Sequence, residues 1–334
     1  MRITILTYVD EEGSKDWDVV VGHVAAALEA NQHEVSILAV WKDVTVLIDG
    51  IKAQKPELVF NLLEEFGDDA GGNIGVCGLL DVLGVPYTGC GPGEYYLGQD
   101  KALAKKLLAF EQILYPRFAV FHKDKDFETG GNLRMPLFVK PVAMDSSIGV
   151  GAKSLVRTST EMMERVLLIH KEVGDAALAE EYIEGREFYV GVIGNGDPQA
   201  LPPIEVDFSG MPEGMPKVYD AKAKWETDSK EFKGTKAVIA DLPDELRAKL
   251  HKVSLDAYRA LRIRDYGRVD LRVAETGDIY VLEVNASCYL ERNDEYTMAA
   301  NAAGISYEQL IQRIVELATA RYGKPANAPA GYGK

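Results

Sequence analysis

A predicted β-hairpin in the last quarter of the chain is the feature that most constrains its fold. Val281–Asn285 is a short apolar run of the kind that forms a buried strand, and Arg268–Val273 repeats its pattern. The turn residues Glu275–Asp278 lie between the two runs, which favours antiparallel pairing. The sequence therefore predicts a hairpin with one polar face at this point.

The polar side chains of this hairpin form a predicted metal site. Strand side chains repeat with a period of two, so Glu283 and Asn285 share a face, as do Arg268 and Asp270. Pairing the strands would gather both carboxylates and the amide into one oxygen-rich cluster, with Arg268 at its edge. Hard divalent cations such as Mg²⁺ take ligands of this kind. The alternative is a plain half-buried hairpin with a solvated polar face, because any such strand alternates.

Composition and charge limit the classes of function. The chain has 334 residues, of which 47% are hydrophobic and 27% charged, which suggests two or three globular domains. Its net charge of -15 argues against general nucleic-acid binding and against docking on anionic membranes. No apolar stretch reaches membrane-spanning length, and the N-terminus lacks a signal-peptide pattern. Three widely spaced cysteines fit neither a disulfide framework nor a zinc site, so a cytoplasmic setting is expected.

The first 93 residues predict a Rossmann-like domain. Strands alternate with helices, which implies a parallel sheet covered on both faces. The predicted elements are the strands Ile3–Val9, Val35–Val40 and Leu58–Leu62 and the helices Trp17–Ala30, Val44–Lys52 and Gly75–Leu83. Ligands of such sheets gather at the carboxyl ends of the strands, where the acidic loops Asp10–Ser14 and Glu64–Asp69 fall. Each loop alone is best read as solvated, but the two together hint at a positively charged ligand group.

Two features after residue 93 point to a phosphate ligand. Asp100 is a predicted N-cap of a helix that starts with Lys101, and a strand ends on Lys140. The next loop, residues 142–151, is small and hydroxyl-rich, so its N–H groups and hydroxyls can wrap a phosphate. It lacks the Gly-Lys-Ser/Thr ending of a Walker loop, and alone it is a weak signal.

The remaining segments are predicted from their local patterns. Residues 208–234 hold glycines, prolines and lysines and predict a long loop of the functional or mobile kind. A helix is predicted over Leu242–Leu261 with Asp241 as its cap, and a last amphipathic helix over Asn301–Tyr322. The Gly/Ala/Pro-rich residues 324–334 are expected to be disordered.

The joint order of these motifs resembles the D-alanine–D-alanine ligase branch of the ATP-grasp family. The matching segments are Leu83–Gly89, Asp100–Lys101, Phe138–Pro141, Ser146–Val150, Glu180–Phe188, Leu201–Glu205, Tyr219–Lys224, Arg268–Asp270 and Leu282–Asn285. The resemblance implies an α/β chain that is α+β in its C-terminal part. Its expected domains are a Rossmann-like domain over 1–93, an ATP-grasp N-lobe over 94–185, a C-lobe with the metal-binding hairpin over 186–322, and a flexible tail over 323–334.

The resemblance also implies a role for each matching residue. The implied contacts of the ATP phosphates are Lys101, Lys140, Lys222 and the loop residues Ser146 and Ser147. The implied contacts of adenine are Glu180, Glu181, Tyr182 and Ile183, and the ribose contact is Glu187. The implied ligands of two Mg²⁺ ions, with Mn²⁺ as an alternative, are Asp270, Glu283 and Asn285. The implied catalytic residues are Arg268, Ser146 and Lys224.

The reaction implied by the resemblance joins a small-molecule carboxylate to an amine with ATP. The carboxylate attacks the γ-phosphate to give an acyl phosphate, and the amine then displaces phosphate to give an amide. Such chemistry depends on positioning and charge neutralisation, which agrees with the absence of a Ser/His/Asp or Cys/His arrangement from the sequence. The resemblance adds a possible homodimer and no nucleic-acid or membrane partner.

The segment after Asn285 departs from the family pattern. The family continues Thr-x-Pro-Gly-Met-Thr and then Ser-His-Ser-Leu, whereas this chain has Ala286–Glu291 and then Arg292–Glu295. Asp294 takes the place of the serine that grips the carboxylate of the acceptor and would repel that group at neutral pH. Tyr289 takes the place of a glycine that supplies a backbone N–H to the oxyanion.

Two further departures lie elsewhere in the chain. Trp225 replaces the usual tyrosine of the closing loop, and Asn61–Asp68 replaces the usual His-Gly-x-x-Gly-Glu-Asp-Gly. The hypothesis is therefore a ligase with an intact ATP half and an acceptor other than D-alanine. Glu291 and Asp294 either face an acceptor with extra positive charge or are exposed loop residues. The alternatives are a genuine D-alanine–D-alanine ligase and a nucleotide-binding protein without turnover.

Overall fold

Three β-sheets organise the chain. The computed structural model describes residues 1–67, 71–124, 127–129, 131–144, 149–212, 215, 217–219 and 221–323, without the side chains of Ala152, Ala221 and Trp225. Among these residues no helix is both long enough and apolar enough to cross a membrane.

The N-terminal sheet is parallel and is built as the alternating pattern predicts. Its elements are β1 (Arg2–Tyr8), α1 (Val19–Ala30), β2 (Glu34–Val40), α2 (Val44–Gln54), β3 (Leu58–Asn61), α3 (Gly72–Leu83) and α4 (Pro92–Gln99). The strand order is β2-β1-β3, and a parallel bridge from Val59 to Tyr87 extends the sheet. Helix α1 begins after Asp18, whose side chain accepts a hydrogen bond from the backbone N–H of Val20.

The second sheet is antiparallel and has the order β5-β4-β8-β6-β7. Its elements are α5 (Lys101–Phe110), β4 (Phe118–Phe121), β5 (Glu128–Thr129), β6 (Leu137–Pro141), a 3₁₀ turn (Ala152–Ser154), β7 (Leu155–Val156), α6 (Ser159–Leu168), a π-helical turn (Ile169–Val173) and β8 (Ala177–Glu181). Asp100 caps α5 as predicted, because its carboxylate accepts from the N–H of Leu103. This cap fixes Lys101 at the first position of the helix.

The third sheet is also antiparallel and has the order β12-β11-β9-β13-β14. Its elements are β9 (Gly185–Ile193), β10 (Gln199–Ala200), β11 (Ile204–Asp207), α7 (Ala221–Trp225), α8 (Lys230–Gly234), β12 (Lys236–Ile239), α9 (Asp244–Ala260), β13 (Tyr266–Ala274), β14 (Ile279–Ala286), α10 (Glu295–Ala302) and α11 (Tyr307–Gly323). The predicted hairpin is confirmed as β13 and β14. The domain boundaries given above remain predictions.

Three local predictions were wrong. The segment 301–322 is not one helix, because Gly304 adopts φ 79° and separates α10 from α11. Helix α9 has Pro243 at its N-cap position rather than Asp241. The predicted loop 208–234 contains the short helices α7 and α8. The predicted disordered residues 324–334 lie outside the described part of the chain.

Candidate functional site

A cavity of about 960 Å³ lies where the two antiparallel sheets and the N-terminal domain meet. Its volume falls in the upper part of the range that is usual for small-molecule sites. Of the residues predicted to form the site, those that line the cavity are Lys101, Lys140, Glu180, Glu181, Tyr182, Ile183, Glu187, Lys224, Arg268, Asp270, Glu283 and Asn285. One cavity therefore brings together twelve positions that lie up to 184 residues apart in sequence (101 to 285).

Three predicted site residues, Ser146, Ser147 and Lys222, are not among the described residues that line the cavity. Ser146 and Ser147 lie outside the described residues. Lys222 is exposed and does not line the cavity, although its backbone carbonyl accepts from the hydroxyl of Ser229. Lys222 and Lys224 are both on α7, and residues two apart in a helix do not share a face. Lys224 therefore lines the cavity and Lys222 does not.

The register of the hairpin places its polar residues opposite one another. Asp270 pairs with Glu283 and Arg268 pairs with Asn285 in the antiparallel ladder. A register shift follows Asp270, so the pairing beyond it is offset by one residue. The cluster that the period of two predicts is thus present, with both carboxylates facing each other across two strands.

Arg268 is the centre of a buried charge network. Its Nε and NH2 atoms donate to the two oxygens of Asp270 at 2.8 and 3.1 Å, and its NH1 atom lies 3.5 Å from Glu295. The amide of Asn285 donates to the same Asp270 at 3.0 Å. Burial alone would lower the pKa of Arg268, but Asp270 and Glu295 raise it well above its ordinary value. This guanidinium is therefore a fixed positive charge on the floor of the cavity.

Three lysines provide the positive charge at the other side. The Nζ of Lys101 lies 3.1 Å from Glu283, and the carboxylate of Glu180 lies between Lys140 at 3.0 Å and Lys105 at 3.1 Å. Burial opposes ionisation of Glu283, but the ammonium groups of Lys101 and Lys140 outweigh it and lower its pKa to about 2. Glu180 likewise has a lowered pKa because Lys105 and Lys140 outweigh the effect of burial.

Lys105 is a site residue that the sequence argument missed. It is 1% exposed at its side chain, and it also donates to the backbone carbonyl of Leu282 on β14 at 3.0 Å. Burial lowers the pKa of Lys105. It lies four residues after Lys101 on α5, and helical periodicity places such pairs on one face, so this signal was available.

Arg272 is a second missed residue. It pairs with Glu187 at 2.7 Å and donates to the carbonyl of Ile183 at 2.8 Å. Its guanidinium lies 4.7 Å from the centre of the Tyr182 ring. Arg272 follows Arg268 and Asp270 at the same period of two on β13, so the rule that found those residues also points to it. Arg272 therefore connects the segment between β8 and β9, which links the two antiparallel sheets, to strand β13.

The donor set on the hairpin fits a divalent cation. Burial raises the pKa of Asp270, and the nearby Glu283 adds to that rise, so the two carboxylates repel each other. A cation between them would offset this repulsion. Within the part of the chain that the structure describes, no three Asp, Glu, His or Cys side chains form a metal cluster, and Asn285, whose amide donates to Asp270, adds a neutral oxygen beside the two carboxylates.

The divergent segment 286–295 forms an acidic wall of the same cavity. The lining includes Glu291, Asp294 and Glu295 from this segment and Asp18, Glu64 and Glu65 from the N-terminal domain. The hydroxyl of Tyr289 donates to Asp18 at 2.6 Å, which links the segment to that domain. Of the two alternatives for Asp294, the exposed loop residue was wrong, because Asp294 lines the cavity.

Asp294 and Glu295 share a hydrogen bond, and their pKa values are shifted in opposite directions. Burial and the adjacent Glu295 raise the pKa of Asp294 to about 8. Burial opposes ionisation of Glu295, but Arg268 lowers its pKa below the ordinary value. Glu295 is thus the charged partner and Asp294 holds the proton at neutral pH. Cys288 is buried, which raises the pKa of its thiol and agrees with a packing role.

Known proteins share this architecture. A family model described as "D-ala D-ala ligase C-terminus" matches residues 107–316. A D-alanine–D-alanine ligase of Desulforudis audaxviator is 32% identical over 89% of this chain and 92% of that protein. An uncharacterised protein of Sinorhizobium fredii, y4sG, is 32% identical over 90% of this chain and 87% of that protein. The crystal structure of a Bacillus anthracis D-alanine–D-alanine ligase complexed with ATP has a TM-score of 0.75 and 26% identity, covering 97% of this chain and 99% of that one.

Proposed function

The chain belongs to the D-alanine–D-alanine ligase family of ATP-grasp enzymes, and from this premise we propose that it joins a carboxylate to an amine that lacks a carboxylate of its own. It is an ATP-dependent amide-bond ligase, and the family implies a divalent metal and small-molecule carboxylate and amine substrates. The observation that carries the finer proposal is the carboxylate of Glu295, buried beside Arg268.

The nucleotide end of the cavity is the half with the lysines. We assign the ATP phosphates to Lys101 and Lys140, because two fixed ammonium groups suit a polyphosphate better than a purely structural role. Lys105 supports both by neutralising Glu180 and by holding β14 through Leu282. Glu181, Tyr182 and Ile183 are assigned to adenine together with Glu180. These assignments are supported by the cavity, which is lined by Lys101, Lys140 and residues 180–183.

Glu187 is assigned to the ribose. Its carboxylate is held by Arg272 and accepts a hydrogen bond from the Tyr189 hydroxyl at 3.0 Å, so its position is fixed before a ligand binds. We assign the phosphate-covering role to the loop with Ser146 and Ser147 and to the segment with Lys222. Lys224 lines the cavity and is assigned to the reacting phosphoryl group.

Asp270, Glu283 and Asn285 would hold the divalent cation, for which we propose two Mg²⁺ ions, with Mn²⁺ as a substitute. When bound, such ions neutralise phosphate oxygens and orient them for in-line transfer. Lys101 holds Glu283 in its ionised form, and Arg268 and Asn285 fix the orientation of Asp270. The protein thus keeps Glu283 ionised and holds Asp270 in a fixed orientation opposite it.

Arg268 is the residue that we assign to charge on the reacting carboxyl group. A substrate carboxylate attacks the γ-phosphate and becomes an acyl phosphate, and negative charge then builds on its oxygen when the amine attacks. A buried guanidinium stabilises that charge strongly, because its surroundings exclude water. Asp270 holds Arg268 through two hydrogen bonds, so the guanidinium does not need to reorient during the reaction.

The acceptor proposal follows from the partner of Arg268. In a ligase for amino acids the carboxylate of the acceptor needs cations, but here Glu295 already occupies Arg268 and Asp294 stands beside it. The ionised Glu295 would repel a second carboxylate at neutral pH, and Asp294 would add to this repulsion once it ionises near pH 8. The six acids of the wall described above favour instead an amine with further positive charge. On the family resemblance alone we also propose a homodimer, which sedimentation velocity measures.

One assay separates the possible functions. Phosphate release from Mg-ATP is measured against a panel of carboxylates paired with D-alanine, simple amines and diamines, and the products are identified by mass. Release only with amines that lack a carboxylate supports the proposal. Release with D-alanine alone, giving the dipeptide, would make the protein a genuine D-alanine–D-alanine ligase. ATP binding without release under any pair would make it a nucleotide-binding protein without turnover.

A further inference from the structure

A second cavity, of about 680 Å³, lies outside the catalytic one and shares none of its lining residues. It is formed by the turn between β9 and β10, the end of α9 and one face of α11. Five of the fifteen arginines of this acidic chain line it, namely Arg259, Arg262, Arg264, Arg313 and Arg321. The acid in its lining is Asp197, which is exposed. We call this cavity the arginine pocket.

The acids near the arginine pocket are Asp265, Asp256 and Glu94, which lies beside Arg264, and they neutralise only part of its charge. Asp265 is fully buried and accepts from Arg321 at 2.8 Å, but it also accepts from the N–H of Gly89 and the amide of Asn195. Arg313 donates to the neutral side chain of Gln199. Arg259 lies 3.9 Å from Asp256, a long and exposed contact that contributes little.

Arg262 contributes a charge that is not neutralised. Its side chain is exposed and makes no ion pair with any residue in the described part of the chain. Its backbone has φ 58°, in the left-handed region that glycine or asparagine normally occupies after a helix.

The two inner arginines are held rigidly. The guanidinium groups of Arg264 and Arg321 lie 5.5 and 5.9 Å from the centre of the same Tyr87 ring. Burial lowers the pKa of Arg321 and the like charge of Arg264 adds to that effect, but Asp265 outweighs both and raises the pKa. The Nε of Arg321 is buried and has no acceptor among the described residues. The two positive charges are therefore held close to each other, and the Nε–H of Arg321 remains without an acceptor in the part of the chain that the structure describes.

We propose that the arginine pocket binds a small polyanion that carries phosphate groups. Guanidinium forks match phosphate oxygens in pairs, and several forks around one cavity suit a diphosphate better than a single carboxylate. A nucleic acid does not fit, because it needs a broad basic face and the net charge of the chain is -15. The volume suits a ligand of the size of pyrophosphate or a nucleoside diphosphate.

Calorimetric titration with pyrophosphate tests this proposal. The full chain is first saturated with a non-hydrolysable ATP analogue and Mg²⁺, so that the phosphate positions of the catalytic cavity are filled, and free Mg²⁺ is kept low. The test variant combines Arg262→Gln with Arg313→Gln, both at the rim and neither in the catalytic machinery. Arg247→Gln, which removes an arginine of α9 outside the pocket, is the matched control.

We expect saturable binding to the wild type and to the Arg247→Gln variant, and at least tenfold weaker binding to the double variant. Affinity should also fall as salt concentration rises. Arms with ADP and with citrate decide the source of the anion: a diphosphate that binds more tightly than citrate supports phosphate recognition. Absence of pyrophosphate binding in the wild type, equal binding in the double variant, or tighter binding of citrate would overturn the proposal. Unfolding midpoints of all variants establish that they are folded.

Discussion

The acceptor proposal predicts a large difference between D-alanine and ethylamine, which differ by one carboxylate. Glu295 is 6% exposed and its Oε2 lies 3.5 Å from the NH1 of Arg268. A second carboxylate on that guanidinium would lie about 5 Å from Glu295. Two such charges repel by about 3 kcal/mol at an effective dielectric constant of 20, which corresponds to about a hundredfold in binding.

The KM of each amine is measured from the rate of ADP release, at a fixed, saturating concentration of the carboxylate substrate that the panel identifies. For the wild type we expect the KM of D-alanine to exceed that of ethylamine by about a hundredfold. In the Glu295→Gln variant the ratio should fall to within about tenfold, because the variant keeps the shape of the side chain and removes its charge. Taking the ratio of two amines cancels any general damage to Arg268.

A matched control is Glu308→Gln, which removes an exposed acid that pairs with Arg292 on the outside of the protein. Its KM ratio should equal that of the wild type. A wild-type KM for D-alanine equal to or lower than that for ethylamine would refute the reasoning about Glu295. In that case the ligase activity would stand and the acceptor would be an amino acid.

Three further predictions concern the same cavity. Glu283→Ala should abolish turnover and weaken Mg²⁺-dependent nucleotide binding while leaving the circular dichroism spectrum unchanged; unchanged activity would remove the metal assignment. Lys140→Met should raise the KM for ATP at least tenfold and leave the KM of the amine within twofold, since a charge-assisted phosphate contact is worth about 1.5–3 kcal/mol, and an equal effect on both substrates would contradict the assignment. Asp294, with a pKa of about 8, should ionise as the pH rises through that value. The affinity for a carboxylate-bearing inhibitor should therefore fall near pH 8 in the wild type and not in Asp294→Asn. Because the folded state keeps a proton that the unfolded state releases near pH 4, this group also lowers the free energy of unfolding progressively from about pH 4 up to about pH 8.

The strands and the juxtaposition of the polar hairpin residues could be predicted because they depend on local periodicity. Asp270, Glu283 and Asn285 follow from the period of two and one turn, and the register agrees with that argument. The first position of α5 follows from Asp100, whose side chain caps it. In each case the information lies within a few residues of the feature, so no knowledge of distant contacts is required.

The pairing of charges could not be predicted because it is made over long distances in sequence. Arg272 and Glu187 are 85 residues apart, and Lys105 meets the carbonyl of Leu282 from 177 residues away. The role of Glu295 was missed for a related reason, because its partner Arg268 was already explained by Asp270 within the same strand. A local pattern shows which residues share a face, but it does not show which of several acids forms an ion pair with a buried cation.

The charges of the catalytic cavity divide it into two ends with opposite preferences. At one end Lys101, Lys105 and Lys140 outnumber Glu180 and Glu283, so this end keeps a net positive charge for a polyphosphate. The other end contains the six acids of the wall, and of the lining cations Arg268 and Lys224 beside them, Arg268 is already paired with Asp270. A metal cation and its nucleotide reduce the imbalance at the first end but not at the second. In our proposal the second end takes its cation from the substrate, and the divergent segment 286–295 thereby sets the acceptor while the assigned ATP residues stay the same.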